Sequence, residues 1–162
     1  MKERFHGLLA ANGPALLRLA ASYAHTVSDR DDLFQEISLA IWKALPQFRG
    51  DSSERTFIFR IAHNRAMSHL AKRRPAASPV DDVEVPDPRP DPESDLLLKQ
   101  KHEQLAAAIR RLPVEYRQVV TLALEGLTYT EIADVVGIHE NNVGVRLNRS
   151  RQMLRRLMEV ER

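Results

Sequence analysis

The stretch Thr128-Tyr129-Thr130-Glu131-Ile132-Ala133-Asp134-Val135-Val136-Gly137-Ile138-His139-Glu140-Asn141-Asn142-Val143-Gly144-Val145-Arg146-Leu147-Asn148-Arg149 decides the fold. Thr128 and Glu131 have capping-box spacing, in which each side chain satisfies a free amide of a helix start. Ala133, Gly137 and Val143 follow. A small residue lets two helices approach, a glycine supplies the positive φ of a tight turn, and a β-branched residue seats the second helix. With Ile132, Val136 and Leu147 around them, they read as a helix-turn-helix. The sequence predicts a short helix to Val136, a turn at Gly137 and a long helix from about Glu140 to Val160. On the long helix Val143, Leu147, Ser150, Leu154 and Leu157 share one face. Asn142, Val145, Asn148, Arg149, Gln152 and Arg156 lie roughly opposite, with Arg146 and Arg151 on the flanks. Amides and arginines suit base edges, and flanking arginines suit phosphates. The amides near Thr128–Thr130 could also bind a phosphate. The alternative is an amphipathic helix that only packs.

Working upstream, Leu96–Leu112 reads as a helix, and Pro113 suits the first position of the next, which runs to about Glu125 and ends at Gly126. Residues 95–162 then form one small helical domain. Before it lies an acidic connector, residues 75–94, within the run Pro75-Ala76-Ala77-Ser78-Pro79-Val80-Asp81-Asp82-Val83-Glu84-Val85-Pro86-Asp87-Pro88-Arg89-Pro90-Asp91-Pro92-Glu93-Ser94-Asp95. It holds six of the nine prolines, which exclude helix and favour extended chain. Residues 1–74 form the other domain. Leu8–Ala11 and Ala15–Ala24 read as two helices split by Gly13-Pro14. Ser28 reads as the cap of a helix that starts with Asp29, Asp31 and Asp32, carries the stripe Leu33, Phe34, Ile37, Ile41, Ala44 and Leu45, and stops at Pro46. Gly50-Asp51-Ser52-Ser53 is a turn, and a further helix bearing Phe57, Ile58, Ile61, Ala62 and Leu70 ends at Lys72-Arg73-Arg74. The expected fold is all-α: two small helical domains joined by an acidic, Pro-rich linker.

Charge sharpens this division. Residues 1–74 carry 12 Lys+Arg against 7 Asp+Glu, residues 75–98 carry 1 against 7, and residues 99–162 carry 11 against 8. Two basic blocks flank an acidic strand, and basic blocks favour polyanion partners. The chain of 162 residues has no Cys, which excludes a disulfide scaffold, a thiol nucleophile and a Cys-based metal site. His63 and His69 lie six apart, on different helix faces, and no H-E-x-x-H, Gly-rich phosphate loop or G-x-S-x-G occurs. An enzyme is not expected, and neither metal nor cofactor is. The N-terminus makes a poor signal peptide, and no apolar run approaches the ~18 residues that span a bilayer. A soluble, cytoplasmic chain without membrane insertion is expected.

Two sets of stretches resemble bacterial extracytoplasmic-function (ECF) sigma factors of the sigma-70 family. Asp29-Arg30-Asp31-Asp32-Leu33-Phe34-Gln35-Glu36, Trp42-Lys43-Ala44, Phe48-Arg49-Gly50-Asp51-Ser52-Ser53 and Arg55-Thr56-Phe57-Ile58-Phe59-Arg60-Ile61-Ala62-His63-Asn64 are similar to sigma region two. Leu112-Pro113-Val114-Glu115-Tyr116-Arg117, Tyr129-Thr130-Glu131-Ile132-Ala133 and Asn142–Arg151 are similar to region four. The resemblance implies an alternative sigma factor that binds RNA polymerase core and directs promoter-specific initiation. It implies that Asp31, Asp32, Leu33, Gln35 and Glu36 dock on the β′ clamp helices, and that the second domain meets the β flap. It implies that the loop from Phe48 to Glu54, through Arg49, Gly50, Asp51, Ser52 and Ser53, captures a flipped minus-ten base, with Arg55, Arg60, Asn64 and Arg65 on opened promoter DNA. It implies that Thr128, Tyr129, Thr130, Asn141, Asn142, Val145, Arg146, Asn148, Arg149 and Arg151 read the minus-thirty-five element. The linker would thread a polymerase channel, and an anti-sigma protein would be a partner. Gly144, Val145, His139 and Phe57 depart from residues common in the family, which bears on promoter sequence. A stand-alone helix-turn-helix regulator and a polymerase-binding adaptor are the other readings. The acidic helix and the Phe48–Glu54 loop count against the regulator, and the Asn/Arg face against the adaptor.

Overall fold

A computed structural model describes residues 1–72 and 93–160. The helices are α1 (Lys2–Ser22), α2 (Val27–Ala44), α3 (Glu54–Lys72), α4 (Glu93–Arg111), α5 (Val114–Leu124), α6 (Tyr129–Val136) and α7 (Glu140–Val160), with a short 3-10 turn Leu45–Gln47 after α2. No strand occurs among the described residues. Helices α1–α3 form the first unit and α4–α7 the second. The connector up to residue 92, the cations Arg73 and Arg74, and the expected channel-threading role of the linker lie outside the described residues.

Four local expectations need correction. α1 is one helix through Gly13-Pro14, with Pro14 inside it. Proline removes one helical hydrogen bond, but packing of the N-terminal half offsets this: Phe5 sits edge-on to Trp42 at 5.1 Å, and Leu8 and Leu9 pack on the core. The cap of α2 is Thr26, whose hydroxyl accepts from the Asp29 amide at 3.0 Å, so Ser28 lies within the first turn. Pro113 is the N-cap of α5 rather than its first residue. α4 begins at Glu93, two residues inside the stretch read as connector.

The apolar positions converge on one core that both units share. Leu16, Leu19, Leu33, Ile37, Ile58 and Phe59 join Leu112, Val119, Leu122, Ile132, Val143 and Leu147 in a continuous buried cluster. Complete burial of each such side chain stabilises by about 1.5–3 kcal/mol. The sequence left open whether the units pack; here they do.

Arg117 secures one edge of the contact. Its guanidinium donates to the carbonyls of Arg110 (2.7 Å) and Leu112 (2.9 Å) at the end of α4, and to Ser22 (3.3 Å) at the end of α1. It also lies 5.5 Å from the centroid of the buried Tyr23 ring. A cation at two helix C-termini meets the negative ends of both dipoles. Burial pushes the Tyr23 hydroxyl up to about 12, so the phenol stays neutral.

Candidate nucleic-acid interface

The helix-turn-helix forms as its residues dictate. Thr128 accepts from the Glu131 amide at 3.2 Å, and the Glu131 carboxylate accepts from the Thr128 amide at 3.1 Å, completing the capping box. Gly137 ends α6 with φ +81, and its amide donates to the Ala133 carbonyl at 2.9 Å. His139 takes the place of a hydroxyl cap for α7: its Nδ1 accepts from the Asn141 amide at 3.3 Å.

α7 is two-faced, as its wheel predicts. Val143, Leu147 and Ser150 are buried. Asn141, Asn142, Val145, Asn148, Arg149, Arg151, Gln152 and Arg156 are exposed, and Arg146 is half-exposed. The exposed face therefore presents amides, arginines and one apolar side chain together. Thr128, Tyr129 and Thr130 are exposed at the start of α6, with the Thr130 hydroxyl donating to Glu140 at 3.2 Å. Gly144 faces Tyr129; a Cβ there would lie 3.6 Å from the ring, an ordinary contact.

On α2 the exposed side carries Asp31, Asp32, Gln35, Glu36 and Leu39. Leu33 corrects the expectation placed on it: it is 0% exposed and anchors α2 in the core instead of facing a partner. Arg30 holds Asp31 at 2.8 Å. Asp29, also buried, accepts from the His25 amide at 3.0 Å and lies 2.9 Å from His69 Nε2, tying the start of α2 to α3.

The loop before α3 is half structured by its own aromatics. The Phe48 and Phe57 rings lie 4.8 Å apart, and Arg4 reaches over Phe48 at 5.8 Å. Arg49, Gly50, Asp51 and Ser53 are exposed, while Ser52 is half-buried. The Ser53 hydroxyl accepts from the Thr56 amide at 3.0 Å and so starts α3.

The cations expected on opened DNA divide between two directions. Arg55 donates to the Glu125 carbonyl and lies 5.2 Å from the Phe59 ring. Arg60 pairs with Asp134. Both partners are in the second unit. Asn64 and Arg65 are exposed, and Arg65 lines a shallow cleft with Glu36, Leu39, Ala40 and Lys43 on the α2 side. Thr56 donates to Glu131 at 3.0 Å, and Arg18 holds Glu125 at 2.7 Å. The Thr128 backbone amide first, then its hydroxyl, with smaller help from Thr56 and Arg55, holds the Glu131 carboxyl below the usual carboxylate range. Reading the sequence missed these cross-unit carboxylates, because no local pattern marks a partner 74 residues away.

Among the described residues no group of three or more His, Cys, Asp or Glu is arranged to hold a metal ion. None of the described helices is long and apolar enough to cross a membrane. Burial pushes the His63 imidazole below its usual value, in keeping with a structural residue of α3.

Comparison with known proteins agrees with both units. Residues 8–76 match the model of Sigma-70 region 2, and residues 102–154 that of Sigma-70, region 4. The chain is 33% identical to the ECF RNA polymerase sigma-E factor of Escherichia coli (strain K12), over 78% of this chain and 72% of that protein. It is 29% identical to the RNA polymerase sigma factor CnrH of Cupriavidus metallidurans, over 99% of this chain and 89% of that one. A solved structure of CnrH in complex with the cytosolic domain of CnrY matches with a TM-score of 0.73 at 26% identity, covering 100% of this chain and 92% of CnrH. The sigma factor RpoE of Bartonella quintana, solved with the anti-sigma factor NepR, shares the fold with a TM-score of 0.79 at 21% identity, over 99% of both chains. With a region-two unit, a region-four helix-turn-helix and relatives matched across both, the chain belongs to the ECF sigma factors, the alternative sigma subunits that direct transcription initiation.

Proposed function

We propose that this sigma factor docks on RNA polymerase core through the exposed acidic face of α2, with Asp31, Asp32, Gln35 and Glu36 as its contacts. In this reading Phe48–Glu54, with Arg55, Arg60, Asn64 and Arg65, takes the opened minus-ten element. Extruding a base costs a few kcal/mol, which a snug polar loop can offset. The α7 face bearing Asn142, Val145, Asn148 and Arg149 reads the minus-thirty-five element in the major groove, and the second unit meets the β flap. The chain contributes no catalytic residue and no cofactor; the polymerase performs the chemistry, in the cytoplasm. A protein partner that holds the chain off polymerase is part of the proposal, supported by the CnrY complex of the related CnrH.

The observation that carries the reading is the outward display of Asp31, Asp32, Gln35 and Glu36 while Leu33, Ile37 and Ile41 are buried beneath them. A regulator that binds duplex DNA unaided has no use for such an acidic face. The test is transcription from a genomic fragment library with purified chain and bacterial core polymerase, core alone being the control. Specific starts that require the chain support the reading and supply the promoter sequence. Specific DNA retention without core would favour a stand-alone regulator. Core binding without DNA recognition would favour an adaptor.

A further inference from the structure

The base-capture loop is fixed at its two ends and open at its tip. At the tip Gly50 has φ +82, and a Cβ added there would meet nothing within 4 Å. Arg49 and Asp51 are exposed on either side of it. At the start of the loop the Phe48 ring packs 4.8 Å from Phe57 of α3, and at its end the Ser53 hydroxyl caps α3. One further side chain reaches both ends. The Arg4 guanidinium, from the first turn of α1, donates to a single Glu54 oxygen through Nε (3.0 Å) and Nη2 (2.7 Å). The same guanidinium lies 5.8 Å from the centroid of the Phe48 ring. The next residue, Phe5, sits edge-on to Trp42 at 5.1 Å, which anchors that turn of α1 to α2. Arg4 thus stands on a supported backbone and spans the two ends of the loop. It is 50 residues from Glu54 in sequence and precedes residue 8, where the region-two match begins.

We propose that Arg4 is a positioning residue for minus-ten recognition: by clasping Phe48 and Glu54 together it shapes the base-capture loop before a base swings out. It acts through the loop and not as a DNA contact. A planar guanidinium that donates twice and lies over a ring fixes direction as well as distance, which a lysine ammonium does not. A preformed loop also avoids the ordering that a slack loop undergoes on capture. The proposal rests on the role given above to Phe48–Glu54.

The first arm of the test reads the loop without DNA or polymerase. The chain has no cysteine, so Asp51→Cys places one nitroxide label at the loop tip of the full chain. Its electron paramagnetic resonance lines should sharpen with Arg4→Ala and with Arg4→Lys. They should not change with Lys2→Ala, which removes a cation from the same turn of α1. Unchanged lines with Arg4→Ala overturn the proposal. So do wild-type lines with Arg4→Lys, because Arg4 would then act as a bare charge beside Glu54.

The second arm uses core polymerase and a promoter recovered from the transcription screen, with the label-free chain. An abasic site is placed at each minus-ten position of the non-template strand in turn. On the intact promoter Arg4→Ala should slow opening about fivefold, and Lys2→Ala should not slow it. At the one position whose base the loop captures, removing the base should slow the wild-type chain and make the Arg4→Ala chain its equal. Such a cycle isolates the coupling between a residue and its partner. An Arg4→Ala defect that persists at every abasic position is general destabilisation and overturns the proposal. If the unsubstituted chain opens no promoter with core, the assignment of the loop to the minus-ten element fails, and the label at residue 51 still judges the clasp.

Discussion

Alanine at Gly137 and alanine at Gly144 are one chemical change made twice in one motif, and they should move stability in opposite directions. Gly137 has φ +81, and a Cβ there would meet nothing within 4 Å. The cost is therefore conformational, not steric crowding: about 1–2 kcal/mol for an L residue held in the left-handed region. Gly144 lies inside α7 with no positive φ, and its added Cβ would touch the Tyr129 ring at 3.6 Å. There alanine gains about 0.5–1 kcal/mol through lower backbone entropy in the unfolded chain. At this chain length 1 kcal/mol corresponds to about 2–4 °C in Tm. Gly137→Ala should thus lower Tm by about 2–8 °C and Gly144→Ala raise it by about 1–4 °C. Thermal and urea unfolding followed by far-ultraviolet circular dichroism would read both. Gly137→Asn is the internal control, because asparagine tolerates the left-handed region better than alanine. Shifts of the same sign, or Asn no better than Ala, would refute the assignment of the turn.

Three other outcomes are expected. Arg149→Ala should cost about 1–3 kcal/mol and relax base preference at one minus-thirty-five position; uniform weakening across a library of sites would instead make Arg149 a phosphate contact. Reversing Asp31 and Asp32 to Lys should abolish co-elution with core polymerase while leaving the circular dichroism spectrum intact, and retained co-elution would remove α2 as the docking helix. Burial holds the His63 imidazole below its usual value, so the unfolded chain takes up a proton below about pH 6.5 where the folded chain does not. The stability linked to His63 is therefore present above that pH and lost as pH falls toward the folded value. His63→Leu should flatten the fall in urea midpoint between about pH 7.5 and pH 5.5, and an unchanged fall would place the titration elsewhere.

What the sequence made legible was local. The Thr128/Glu131 capping box, the Gly137 turn and the alternation of Val143 and Leu147 with Asn142 and Asn148 are set by residues within two turns of one another, and each forms as expected. What escaped was set from a distance. Gly13-Pro14 looks like a break until Phe5 is seen against Trp42, 37 residues on. Leu33 lies within an acidic motif, but its helix phase puts it inward with Ile37 and Ile41. Arg55 and Arg60 look like free cations because Glu125 and Asp134 belong to other helices. Ser28 and Thr26 both have cap-forming hydroxyls, and only backbone geometry selects Thr26.

The separation of Arg60 and Asp134 along the chain, 74 residues, has a consequence on the ribosome. At about 5–20 residues per second, the second residue leaves the peptidyl-transferase centre about 4–15 s after the first. For that interval Arg60 is on the growing chain with no Asp134 to pair with, close to a machine made largely of RNA. The newborn chain thus meets its most abundant polyanion before the Asp134 carboxylate arrives. Slowing translation between residues 72 and 129 should lengthen that exposure and retain more nascent chain on ribosomal RNA.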